Sequence, residues 1–79
     1  MKANRAYELL VRREGRGPAF LAGPERLDHV EVVEVDSGEV VLFWDTAPRQ
    51  TGKLSRALKA DLAQLDAGAF IAKWRRWQA

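Results

Sequence analysis

The stretch HVEVVEVDSGEVVLFWD, residues 29–45, decides the fold of this chain. Two runs of β-branched and aromatic residues, which are typical of strands, flank Asp36-Ser37-Gly38. Aspartate and serine suit the first positions of a turn, and glycine tolerates the positive φ that a three-residue loop with a bulge requires. The sequence therefore predicts a β-hairpin over residues 30–45.

A loop at residues 36–38 also predicts which residues face each other across the hairpin. The predicted pairs are Val30 with Trp44, Glu31 with Phe43, Val32 with Leu42, Val33 with Val41, and Glu34 with Val40. One face of the hairpin is then almost wholly apolar, and it consists of Val30, Val32, Val40, Leu42 and Trp44. The opposite face is mixed, because Glu31 and Glu39 lie there among apolar side chains.

Beyond the hairpin, the spacing of apolar residues predicts two helices. From Lys53 onward, apolar residues recur at intervals of three and four, and Pro48 and Thr51 lie just before, where helix starts favour them. Asp66 is suited to cap a second helix. The apolar stripe of that helix is Phe70, Ile71, Trp74 and Trp77. The short link between the helices places both on the apolar face of the sheet.

The N-terminal third admits two interpretations. Tyr7, Leu9 and Val11 alternate as in a strand, whereas Ala3, Tyr7, Leu10 and Val11 also fit a helix. The strand is favoured, and a short edge strand is predicted at residues 19–21 between turn-forming residues. The expected architecture is a single small α+β domain over residues 1–79, with an antiparallel meander of three or four strands and two C-terminal helices packed on one face.

Composition limits the classes of protein to consider. The chain has 79 residues, 47% of them hydrophobic and 30% charged, which indicates one globular domain and not a disordered segment. It has no cysteine, so neither a disulfide framework nor a thiolate zinc site is expected. The sequence shows no leader and no apolar run long enough for a membrane span, and we expect a cytoplasmic protein that does not bind membranes.

Charge is segregated along the chain. Residues 27–45 hold six acidic residues and no lysine or arginine, although the net charge of the whole chain is +2. The basic flanks predict a nucleic-acid patch as an alternative function, in which a tryptophan stacks on a base and arginines contact phosphates. The residues of this patch are Arg12, Arg13, Arg16, Lys73, Arg75, Arg76 and Trp77. The favoured interpretation is simpler, with both C-terminal tryptophans on the sheet and the cations near the negative end of a helix.

Catalytic and metal-binding residues are not evident. His29 is the only histidine, and without cysteine a tetrahedral metal site there would depend on neighbouring carboxylates. Ser37 and Ser55 have no histidine base in reach and are explained as turn and helix residues. We therefore expect no catalytic residue, no metal and no cofactor. An enzyme remains an option only if a second chain completes a site around His29.

The mixed face of the hairpin predicts association. Its apolar residues are Val33, Val35, Val41 and Phe43, and an exposed patch of this kind commonly marks a protein interface. The competing interpretation is that residues 16–28 fold across the patch. The sequence favours an interaction module without catalytic activity that forms a homodimer through the sheet, since two-fold dimers are the commonest assemblies. Another protein partner fits the same patch.

Overall fold

A computed structural model of the chain describes residues 1–13 and 27–78. In chain order its elements are α1 (Ala3–Ala6), β1 (Tyr7–Arg13), β2 (Asp28–Glu34), β3 (Val40–Thr46), α2 (Pro48–Gln64) and α3 (Ala67–Arg75). The three strands form one antiparallel sheet in the order β1-β2-β3, and α2 and α3 pack on one face. The predicted α+β meander with two C-terminal helices is confirmed. The short strand predicted at residues 19–21 lies outside the described residues.

Tyr7–Arg13 form a strand and not a helix, as the sequence favours. Tyr7 and Leu9 turn towards the helices and pack against the core, as the alternation predicts. The single turn of α1 precedes the strand, and the Ala3 amide donates to the Leu65 carbonyl at 2.9 Å. This bond joins the start of the chain to the end of α2.

The hairpin has the predicted register over only part of its length. The pairs Val30 with Trp44, Glu31 with Phe43, and Val32 with Leu42 are confirmed, and Gly38 has the expected positive φ of 74°. The predicted pairings of Val33 with Val41 and of Glu34 with Val40 are wrong, because a bulge shifts the register and places Val33 opposite Val40. An extra residue in one strand reverses the alternation beyond it. Val40 is therefore 49% exposed, whereas Val41 packs against the core.

The core lies between the sheet and the helices. The sheet contributes Val30, Val32 and Leu42, all of them buried. The helical side of the core consists of Ala3, Leu58, Leu62, Phe70 and Trp74. The stripes predicted for the two helices thus supply the residues that cover the sheet, and their burial is the main stabilising term.

The first long helix begins earlier than predicted. Pro48 and Thr51 lie within α2 and not before it, with Pro48 at its first position, where a missing amide hydrogen costs nothing. The Thr51 hydroxyl donates to Asp28 Oδ2 at 2.8 Å, and both residues are buried. This contact ties the start of α2 to β2. Asp66 occupies the capping position of α3 as predicted, although its side chain makes no capping hydrogen bond.

Two glycines offer a matched test of the backbone geometry. Gly38→Ala should lower the melting temperature by about 4–8 °C, because alanine in the left-handed region costs about 1 kcal/mol. Gly68 lies in α3 with open space around the position of a Cβ. Gly68→Ala should therefore raise the melting temperature, since alanine favours a helix more than glycine does. Thermal unfolding followed by circular dichroism measures both, and shifts of the same sign would contradict this assignment.

Candidate functional site

Strand β3 lies at one edge of the three-stranded sheet that the described residues form. Its residues alternate between the core face and the opposite face, which we call the outer face because none of the helices in residues 1–13 and 27–78 packs on it. Phe43 lies on the outer face, 42% exposed, beside the exposed Val40. Val35, in the hairpin loop, is 52% exposed. Large apolar side chains are thus exposed along one side of the hairpin.

The C-terminal residues Trp77 and Gln78 contact the edge strand β3. Hydrogen bonds from the Trp77 amide to Trp74 and from the Gln78 amide to Arg75 continue the turn beyond α3. The Gln78 side chain then accepts from the Phe43 amide at 2.9 Å and donates to the Phe43 carbonyl at 2.9 Å. Next to it, Trp44 Nε1 donates to the Trp77 carbonyl at 3.3 Å. The C-terminal residues are therefore anchored to the backbone of the edge strand.

The predicted association face changes in composition. Phe43 and Val35 are exposed as expected, but Val33 is only 8% exposed, because it lies on the central strand between Glu8 and Val40. Val41 packs against the core as a consequence of the bulge. The exposed apolar set is therefore Val35, Val40 and Phe43. Sequence reasoning missed Val40, because adjacent valines give no sign of where a bulge lies.

Polar contacts organise the rest of the outer face. His29 Nδ1 lies 2.5 Å from Asp45 Oδ1, and the imidazole stacks on Phe43 with ring centroids 5.7 Å apart. Arg12 Nε lies 3.5 Å from the buried Glu31 carboxylate. The stacked imidazole restricts the Phe43 ring, and the Arg12 guanidinium partly neutralises the charge of Glu31. Within residues 1–13 and 27–78, no group of three or more histidine, aspartate or glutamate side chains is placed to hold a metal ion.

Among the described residues of the predicted nucleic-acid patch, Arg12 lies apart from the C-terminal members. Arg12 lies in β1, at the opposite edge of the sheet from β3 and the C-terminal residues. Lys73 pairs with Asp61 at 2.6 Å, whereas Arg75 and Arg76 are exposed at the end of α3. Arg13 is in β1, but its side chain, like Arg16, lies outside what the structure describes. Only the C-terminal part of the patch stays together.

The two C-terminal tryptophans have different environments. Trp74 is 7% exposed, donates through Nε1 to Asp61 at 3.0 Å, and packs edge-on against Trp44. Trp77 is 67% exposed, so the prediction that both cover the sheet holds for Trp74 alone. Trp77 forms one wall of an apolar groove of about 600 Å³ between α2 and α3, with Leu54 and Ala57 among the lining residues. None of the helices described in residues 1–13 and 27–78 is long and apolar enough to cross a membrane.

The fold and the site define a small α+β protein with exposed apolar side chains on a mixed outer sheet face and an edge strand held by its C-terminal residues. No protein-family model matches the chain, and no curated protein or solved structure is significantly similar to it.

Proposed function

We propose that this chain is an interaction module without catalytic activity of its own, and that it self-associates through its sheet as a two-fold dimer. The observation that carries the proposal is the exposure of Phe43 and Val40 on a sheet face that the described helices leave uncovered. Apolar side chains grouped on the surface of a small protein favour association, because contact with a second copy removes them from water.

The aromatic residue of this exposed apolar set suits an interface. Phe43 is held by its stacking on His29, so little side-chain freedom is lost when it is buried. Aromatic residues in central positions commonly supply much of the binding free energy of an interface. The cysteine-free composition fits a reducing compartment, and the proposal places this association in the cytoplasm.

Dilution of the isotopically labelled chain tests the proposal directly. Between millimolar and micromolar concentration, the amide chemical shifts of residues 39–46 should change, because the interface opens as the dimer dissociates. The shifts of residues 58–62 in α2 should stay constant and serve as an internal control. Shifts that change nowhere, or only in α2 and α3, would contradict association through the sheet.

A second candidate function is supported by the exposure of Trp77 beside Arg75 and Arg76. An exposed aromatic side chain next to cations is the arrangement that binds single-stranded nucleic acid by stacking and phosphate contacts. A membrane role has less support, because one short helix with few exposed apolar side chains binds lipid weakly. An enzymatic function requires a second chain to complete a site around His29 and its carboxylate neighbours.

The double variant Arg75→Glu/Arg76→Glu tests this second candidate. If the chain binds single-stranded oligonucleotides, the variant should abolish binding with unchanged thermal unfolding. The affinity of the unmodified chain should fall with salt with a logarithmic slope of about −1.4, for two phosphate contacts on a single strand. Quenching of Trp77 fluorescence by oligonucleotide measures the binding. Lys59→Glu, an exposed cation on α2, is the control for a general change of charge. Absence of quenching at low salt would exclude nucleic-acid binding at this site.

A further inference from the structure

The backbone amide and carbonyl groups of Phe43 point away from β2, towards the outer edge of the sheet. Residues of an antiparallel strand direct their amide and carbonyl groups alternately to one neighbour and to the other. Both backbone groups of Phe43 bond the Gln78 side chain and not β2, its only partner strand in the described sheet. Phe43 therefore presents the hydrogen-bonding pair that a further strand would use.

The Gln78 side chain occupies the position of that further strand. A carboxamide has one carbonyl and one amino group, the same acceptor and donor that a peptide unit offers. Its two bonds to Phe43, both 2.9 Å, match the pair of bonds that facing residues of antiparallel strands exchange. Exposed edge strands readily pair with other chains, and natural proteins commonly cover them. Gln78 covers this edge at its centre.

We propose that β3 of a second copy replaces Gln78, so that two sheets join edge to edge around a two-fold axis at Phe43. This inference rests on the proposed self-association and names its contact. Each Phe43 would then exchange with the other copy the two bonds that it now makes with Gln78. The joined sheet has six strands, and the C-terminal residues of both copies leave the edge.

The sequence of β3 is compatible with pairing with itself. Antiparallel pairing centred on Phe43 places Asp45 opposite Val41 of the second copy, and Trp44 opposite Leu42. Asp45 is the only charged residue of β3, so no like charges face each other across the axis. The two Phe43 side chains meet on the outer face, where aromatic cross-strand pairs stabilise a sheet. The edge contact thus continues the exposed apolar face.

Gln78 and a second copy compete for the backbone of Phe43, and this competition sets the strength of association. Each copy must release its Gln78 before the strands pair, and the dimer is weakened by the free energy of those intramolecular bonds. Removing the carboxamide should therefore strengthen the dimer by about 30-fold or more, since two neutral hydrogen bonds per copy, four per dimer, no longer compete. The C-terminal residues act as a cover for the edge, and any partner that binds Trp77 and its neighbours would shift the equilibrium.

The test compares Gln78→Ala with the unmodified chain and with Gln64→Ala, which alters an exposed glutamine at the end of α2. Sedimentation equilibrium should give a dimer dissociation constant about 30-fold lower, or lower still, for Gln78→Ala and unchanged for Gln64→Ala. Gln78→Glu keeps the hydrogen-bond acceptor and loses the donor. Its dimer dissociation constant should therefore lie between those of Gln78→Ala and the unmodified chain. In the monomeric Gln78→Ala variant at micromolar concentration, the Phe43 amide should exchange rapidly with solvent. At millimolar concentration the same amide should be protected.

Different results would overturn different parts of the account. Equal dissociation constants for Gln78→Ala and the unmodified chain would exclude the edge contact while leaving association through the outer face intact. Equal protection of the Phe43 amide from hydrogen exchange in monomeric Gln78→Ala and the monomeric unmodified chain would also exclude the edge contact, because Gln78 would then not cover the edge. If the unmodified chain and Gln78→Ala both stay monomeric at millimolar concentration, the proposed self-association is wrong, and the edge contact is wrong as well.

Discussion

Replacement of Trp74 by alanine should destabilise the chain by about 3–5 kcal/mol, the usual cost of removing a buried tryptophan or phenylalanine. Trp74 is buried between the sheet and α2, donates to Asp61, and contacts the rings of Trp44 and Phe70. A domain of this size has a total stability of roughly 4–12 kcal/mol. The variant should therefore lose at least about a quarter of this total.

Trp77→Ala is the matched control for this prediction. The two residues are three positions apart in the C-terminal stretch KWRRWQA, but the side chain of Trp77 is mostly exposed. Its loss should change the free energy of unfolding by less than about 0.5 kcal/mol, as is usual for surface substitutions. Urea unfolding followed by far-ultraviolet circular dichroism measures both variants. Similar losses of stability would contradict the different environments of the two tryptophans.

Replacement of Phe43 by lysine should abolish self-association at micromolar concentration. The change removes the central aromatic of the proposed interface and places two positive charges opposite each other across the two-fold axis. Loss of one central aromatic commonly costs about 2 kcal/mol of binding free energy, which alone raises the dissociation constant about 30-fold. Repulsion between the two lysines adds to this loss.

The control for Phe43→Lys is Val11→Lys. Val11 is an exposed apolar residue on β1, the strand at the opposite edge of the sheet. This variant makes the same change of charge far from β3. Its dissociation constant should stay within about threefold of that of the unmodified chain, a change of less than about 0.7 kcal/mol in binding free energy. Sedimentation equilibrium measures both variants, and their circular dichroism verifies folding. Equal weakening by both substitutions would indicate a nonspecific effect of charge and contradict the interface.

The local sequence is sufficient to predict the three strands and the two C-terminal helices, but not α1. Gly38 and the strand-forming runs beside it predict the hairpin. Three of its residue pairs are correct because the bulge offsets the one-residue shift that begins at the loop. The start of α2 was placed too late. Its first turn contains Pro48 and Thr51 but no apolar residue before Leu54, so the hydrophobic periodicity begins after the helix does.

The candidate site was predictable only in part, for reasons of tertiary structure. Phe43 and Val35 are exposed as the alternation predicts, but the bulge exchanges the roles of Val40 and Val41. Adjacent valines have the same preference for strands, and the choice between them depends on packing against the helices. The role of Gln78 also escaped prediction. It depends on the end of α3 reaching the edge of β3, which residue spacing within the helix does not encode.

The mass of the unmodified chain in solution tests the central claim most directly. Sedimentation equilibrium from micromolar to millimolar concentration should show a weight-average mass that rises from 8.9 kDa towards twice that value, with a fit to a single monomer–dimer equilibrium. A mass that stays at 8.9 kDa throughout the range would contradict self-association as the function of this sheet.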